Sequence, residues 1–278
     1  MTKKTRGASL GLYALYFLIC LFFLFPVLWV VSYSFKTIPE LFSTPPKLLP
    51  DSLQFENYKY VLENTKILQN IINTFLVVCA TMLGTLAVTL PASYVFSRFN
   101  FAGKNKVLFL ILLFQMISPI VIAIPLYQYL GKLGLSNNLM VLTVIYIAIS
   151  IPMATINIKS YLDTIPRAID EAAHIDGCSH RGILTRIHLP ISISGIVSVS
   201  LMIMVSLWGQ FVVPFVLMND AAKYPVAVGL VNLQTTSEAI TTHYLSAACV
   251  LGIIPTTILF IVLQRYIISA MTAGAVKG

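Results

Sequence analysis

Residues 139–158 read LMVLTVIYIAISIPMATINI, and residues 159–190, directly after them, read KSYLDTIPRAIDEAAHIDGCSHRGILTRIHLP. The first stretch carries no charge and has the roughly 20 residues that a helix needs to cross a hydrocarbon layer. The second is polar, and it stops at Pro190, where another apolar run begins. Five further stretches have the length and character of the first: Leu10–Ser34, Ile71–Phe96, Val107–Leu130, Ile191–Leu217 and Tyr244–Ile268. The pattern predicts an all-α polytopic membrane protein with six transmembrane helices, residues 1–278 forming a single transmembrane domain around the 159–190 loop.

The whole composition agrees with that reading. Of 278 residues, 58% are hydrophobic and 10% are charged, where a soluble domain is roughly a quarter charged. A mean hydropathy of +0.87 excludes a soluble enzyme, a coiled coil and a disordered chain. The net charge of +8 is explained by topology. With the N-terminus inside, twelve of the 18 basic residues and four of the ten acidic ones fall in inner segments, so inside carries the whole excess and outside none. Lys and Arg gather on the cytoplasmic side of membrane proteins, so both termini are expected in the cytoplasm and no nucleic acid is implied. The first span follows Lys3, Lys4 and Arg6 but exceeds the ~7–15 residues of a signal-peptide core; a retained helix is expected. Cys20, Cys79 and Cys249 fall in spans and Cys178 faces inward, which implies no disulfide.

Most spans contain a proline: Pro26, Pro91, Pro119 with Pro125, Pro152, Pro214 and Pro255. Such breaks are tolerated in membranes where neighbouring groups satisfy the freed carbonyls. The outer loop Phe35–Gln69 is proline-rich, and Phe55, Tyr58 and Leu62 recur at helical spacing within it, predicting a short surface helix.

In the inner segment, Ala168–Asp176 reads as a helix. Pro166 opens it, Asp170 and Glu171 lie near its positive end, and Gly177 stands where a left-handed residue closes it. A second helix runs from Ser179 to about His188. Ala168 and Ala172 lie four apart, as do Ile169, Ala173 and Gly177. Small side chains at that spacing permit close approach, either to a partner's groove or to the chain's own membrane end.

Glu171-Ala172-Ala173, three residues, Gly177, nine residues, then Ile187-x-Leu189-Pro190 resembles the EAA signature of permeases in the ATP-binding-cassette importer class. Asp176-Gly177 is similar to the Asp-Gly of the sugar-importing branch, with Cys178 where that branch has alanine. Phe55-Glu56-Asn57-Tyr58, the stretch Tyr94–Phe101 with Gly103-Lys104, and the ending from Gln264 to Gly278 resemble the first outer loop, first inner loop and C-terminus of the maltose-transporter-type G subunit. Trp208-Gly209-Gln210-Phe211 departs from the expected Trp-Asn-acidic-aromatic run.

The resemblance implies a type I ABC-importer permease in the cell membrane. Glu171, Ala172, Ala173, Asp176 and Gly177 become the face that docks on an ATPase. The implied partners are a second six-span or larger permease subunit, two ATPase subunits and an extracytoplasmic sugar-binding protein. Cofactors are expected only there: ATP and Mg on the ATPase chains, none in this one. These residues contain no G-x-x-x-x-G-K-[ST] phosphate loop, so this chain is expected not to be an enzyme.

Uncharged polar residues in spans tend to face a cavity or a partner. Asn73, Gln115, Asn157, Trp208 and Gln210 are therefore candidates for a sugar path, against the alternative of helix–helix hydrogen bonding. Gln234, Thr235, Thr236 and Ser237, in the second large outer loop, are candidates for binding-protein contact by the same resemblance. His174, His180 and His188 are spaced six and eight apart, which matches no zinc pattern; solvated or interface histidines are expected. The competing function is a self-sufficient secondary transporter or channel, but the spans contain no acidic residue and no inverted repeat is evident. A membrane-bound enzyme has no catalytic constellation to support it.

Overall fold

A computed structural model describes residues 4–235 and 242–275, with side chains over 11–234 and 242–264. Every regular element among the described residues is a helix: α1 Lys4–Ser34, α2 Ile38–Leu41, α3 Glu56–Asn64, α4 Ile67–Arg98, α5 Lys104–Gln115, α6 Pro119–Lys132, α7 Leu139–Leu162, α8 Arg167–Ile175, α9 His180–Gly182, α10 Leu189–Ile191, α11 Ile193–Trp208, α12 Val212–Leu217, α13 Val226–Thr235 and α14 Thr242–Ala275. A π-helical turn, Ile183–His188, joins α9 to α10, and a 3-10 turn covers Ala221–Lys223. Among the described residues four helices are long and apolar enough to span a membrane alone, Gly11–Ser34, Ile67–Arg98, Leu139–Leu162 and Thr242–Gln264.

The third and fifth spans differ from expectation. Val107–Leu130 is not one helix: α5 and α6 meet at 85°. The last turn of α5 tightens, with Met116 N–H on Leu113 O and Ile117 N–H on Phe114 O. Ser118 then turns extended at ψ 134° and Pro119 opens α6, because the residue before a proline is pushed out of the helical region. The expected fifth span is interrupted at Gly209-Gln210, where α11 ends. Pro214 falls in the first turn of α12, where its missing N–H costs no helical bond. On the other side of α11, His180–Ile191 meets it at 76°.

The chain divides into two compact units. The residues up to Leu68 with Leu230–Ile254 form the first. Here Asn57 Nδ2 donates to Ser34 O and Lys36 O at 2.9 and 3.0 Å, closing the carbonyl end of α1. The predicted surface helix exists as α3, but its inward face is Asn57 and Val61, with Phe55 and Leu62 exposed. The need to satisfy those two carbonyls sets its rotation. Lys36 is buried, its Nζ 4.3 Å from the Tyr33 ring centre and 2.5 Å from Lys47 O. Glu40 accepts from the backbone N–H groups of Thr37 and Asp51 at 2.6 and 2.7 Å, and these bonds hold its carboxyl below the ordinary value.

The second unit contains Gln69–Gly229 and the chain from Pro255 onward. Its core is a pair of rows whose residues recur every four positions. On α7, Leu142, Tyr146, Ser150, Ala154, Ile158 and Leu162 are buried. On α4 the buried row is Val77, Thr81, Thr85, Thr89, Ser93 and Ser97. Small residues let membrane helices approach closely. At Gly84 a Cβ would lie 2.4 Å from Ile147 Cδ1, and Ser93 Oγ reaches Thr155 O at 2.9 Å. Around this seam α5 and α11 pack on α7, and α12 packs on α6.

Candidate functional site

The segment after α7 is anchored before it becomes helical again. Lys159 Nζ lies 2.6 Å from Asp163 Oδ2, and Asp163 Oδ1 accepts from Ser97 Oγ at 2.6 Å. Arg98 Nη2, at the end of α4, donates to Ile165 O at 3.0 Å. Pro166, extended at ψ 136°, then starts α8. The expected left-handed stop is present: Gly177 has φ 79°, its N–H bonds His174 O at 3.0 Å, and Cys178 N–H bonds Ala173 O at 2.9 Å. Those two bonds form a Schellman closure. Ser179 Oγ next accepts Gly182 N–H at 3.3 Å, and the wide π turn follows.

The faces of α8 are distinct. Glu171, Ala172, Asp176 and Gly177 are exposed, with Ile175 87% exposed beside them. Ala173, expected on the docking face, is instead 6% exposed and packs inward. It seats the helix on its own chain, because it shares the inward face with Asp170 one turn earlier.

Asp170 was not among the sequence candidates, yet it organises the site. Its Oδ2 lies 2.7 Å from Arg98 Nε, close as an ion pair but without the alignment of a hydrogen bond. Its Oδ1 lies 2.5 Å from His188 Nε2. The side chains are 13% exposed for Asp170, 7% for Arg98 and 0% for His188. His188 therefore departs from the solvated or interface placement expected for it. The π turn delivers it inward, where its ring also faces Tyr94 at 5.3 Å. The sequence held one clue: Asp170 and Ala173 are three apart on a short helix, so one face carries both the charge and the small residue. The partners come from distant elements and no local spacing encodes them.

His174 and His180 pack edge to face at 4.6 Å, and Phe99 covers His180 at 4.9 Å. Among the described residues no group of three His, Cys, Asp or Glu could hold a metal.

The five path candidates separate. Asn73 Nδ2 donates to Ala222 O and Tyr224 O at 2.8 and 3.2 Å, and its Oδ1 accepts from Gln69 Nε2 at 3.0 Å. It is 3% exposed, and these bonds fix the 218–225 loop. Asn70, turned to satisfy its amide, reaches Ala221 O and Tyr224 O, and Thr74 Oγ1 accepts Val226 N–H at 2.7 Å. Asn157 is committed to Met153 O, one turn back on its own helix. Gln115 lines an apolar cavity of about 590 Å³ with Phe114, Pro119, Leu126, Ile149 and Met153. Trp208 is buried at the end of α11 and Gln210 half-buried at the break beyond it. Of the four loop candidates, Gln234 is exposed; the Thr235 side chain and all of Thr236 and Ser237 lie outside the described residues.

This architecture is that of an ABC-importer permease. It overlays a chain of the crystal structure of a bacterial ABC transporter involved in import of the acidic polysaccharide alginate with a TM-score of 0.79 and 22% identity, covering 96% of this chain and 99% of that one. Residues 84–273 match the family described as binding-protein-dependent transport system inner membrane component, and the chain belongs to that family. It is 34% identical to the galactooligosaccharides transport system permease protein of Bacillus subtilis, over 91% of this chain and 90% of that one. It is 30% identical to the trehalose/maltose transport system permease protein of Thermococcus litoralis, over 92% of each. The chain is thus a transport component of the membrane and not an enzyme.

Proposed function

We propose that residues 1–278 act as one permease domain of a sugar importer. It receives a sugar or oligosaccharide from an extracytoplasmic binding protein and releases it into the cytoplasm. Two ATPase subunits drive the cycle through α8, and a second permease subunit completes the path. The N- and C-termini and the 159–190 segment face the cytoplasm, as the charge distribution requires, and the protein sits in the cytoplasmic membrane. The relatives' named substrates, galactooligosaccharides and trehalose/maltose, support a saccharide as the solute.

The observation that carries this reading is α8 itself: a short helix opened by Pro166 and closed at Gly177, rooted by a buried ion cluster, with Glu171, Ala172, Asp176 and Gly177 turned outward. A rigid link of this kind transmits a state change between two bodies that each have two states. Ala173 supports the link from within. Gln115, Trp208 and Gln210 remain the path residues of this half, and the tip at Gln234–Ser237 contacts the binding protein.

Purification in mild detergent tests the assembly. An ATPase chain co-purifies with the wild type and is lost with Ala172→Glu and Gly177→Asp. Transport by this chain alone in liposomes would establish the secondary-transporter alternative instead. Removing Gln234–Ser237 lowers uptake but leaves the complex intact; unchanged uptake removes those residues from the proposal.

A further inference from the structure

Three separate elements meet at one carboxylate. Asp170 belongs to α8, Arg98 is the last residue of α4, and His188 ends the π turn that leads through α10 into α11. Arg98 does not rest on Asp170 alone: its Nη2 also bonds Ile165 O at 3.0 Å, just before α8 begins. Its neighbour Ser97 bonds Asp163 at 2.6 Å. His188 is wholly buried and its Nδ1 has no hydrogen-bond partner among the described residues.

From this geometry we infer that Asp170 is the positioning residue through which displacement of α8 is passed to two membrane helices, α4 and α11. The inference rests on the docking role proposed for α8. Charged groups this deeply withdrawn from water separate only at the cost of an uncompensated charge, so the three elements move as one body. The π turn is part of the device. Its i→i+5 closure, Leu189 N–H on Leu184 O, is the local distortion that places His188 beside Asp170, and such turns recur at working sites. The exposed residues of α8 choose the partner. Asp170, on the opposite face, determines whether that partner's motion reaches the bundle.

The test uses the whole complex with its co-purified ATPase, reconstituted in lipid nanodiscs. Spin labels are placed at Ile175 on α8 and Met202 on α11, and distances are measured without nucleotide and after trapping with ATP and vanadate. In the wild type the distance is narrow and the same in both states. In Asp170→Asn, which keeps the shape and removes the charge, it matches the wild type without nucleotide and shifts by several ångströms on trapping, while ATP hydrolysis persists. Asp170→Glu restores the wild-type behaviour.

An unchanged distance in trapped Asp170→Asn overturns the inference, as does equal broadening in both states, which marks plain loosening. Should Asp170→Asn fail to assemble, Arg98→Lys keeps the charge without the two-pronged contact and is read in the same way. Failure of any ATPase to co-purify with the wild type defeats the proposed function instead, so the two failures are distinguishable.

Discussion

The two ends of α4 are fastened by different chemistry. At one end Asn70, Asn73 and Thr74 hold the 218–225 loop and the start of α13 through neutral bonds to backbone groups. At the other, Ser97 and Arg98 hold the segment leading into α8 by bonds that involve carboxylates, one of them buried. A neutral hydrogen bond contributes about 0.5–1.5 kcal/mol net and is readily exchanged for water. Breaking a buried ion pair from one side costs roughly 3–5 kcal/mol. The amide end can release its loop piecemeal during a transport cycle, whereas the charged end holds or fails as a unit.

Removing either fastening tests that contrast. Asp170→Ala strands Arg98 and should destabilise the second unit by about 3–5 kcal/mol, seen as a large fall in the thermal midpoint of detergent-solubilised protein. A shift no larger than that of a surface substitution would break the contrast. Asn73→Ala frees two loop carbonyls and should cost about 1–3 kcal/mol. Faster amide exchange should be confined to the 218–225 loop and leave α8 protected.

Gly177→Ala places a side chain at φ 79° and should cost about 1–2 kcal/mol, fraying the end of α8 without disturbing Asp170. Nitroxide mobility at Ile175 reports it. The smallest effect lies in the loop that carries Glu40. Its carboxyl is held below the ordinary value of 4.5, so its stabilising bonds are complete above that pH. They are lost as pH falls through the lower folded value. Thr37 and Asp51 amides should exchange faster once acid has protonated Glu40 than at pH 7, after correction for intrinsic rates, and Glu40→Gln should show the faster exchange already at pH 7.

Much of this was legible in the chain itself. Apolar length marked Leu10–Ser34, Ile71–Phe96, Leu139–Ile158 and Tyr244–Ile268 as continuous helix, because the bilayer imposes a length on any span. The Pro166 start and Gly177 stop of α8 were readable because caps depend on one residue's local geometry. The bend at Ser118 and the break at Gly209 were not, since a proline in a membrane run is compatible with a kink or with a new helix. Only the carbonyls left free and their neighbours decide between them. Asn73 illustrates another limit: an amide in a span reads alike whether it faces a solute or a loop carbonyl. The Arg98–Asp170–His188 cluster was beyond reach because each member comes from a separate element.

Photo-crosslinking from Ala172 tests the central claim most directly. A photoreactive residue there, illuminated in native membranes, should give an adduct with the mass of this chain plus an ATPase subunit, and the adduct should be lost when Gly177→Asp is added. Illumination that yields only lipid adducts, or none, with the complex otherwise intact, would contradict the account.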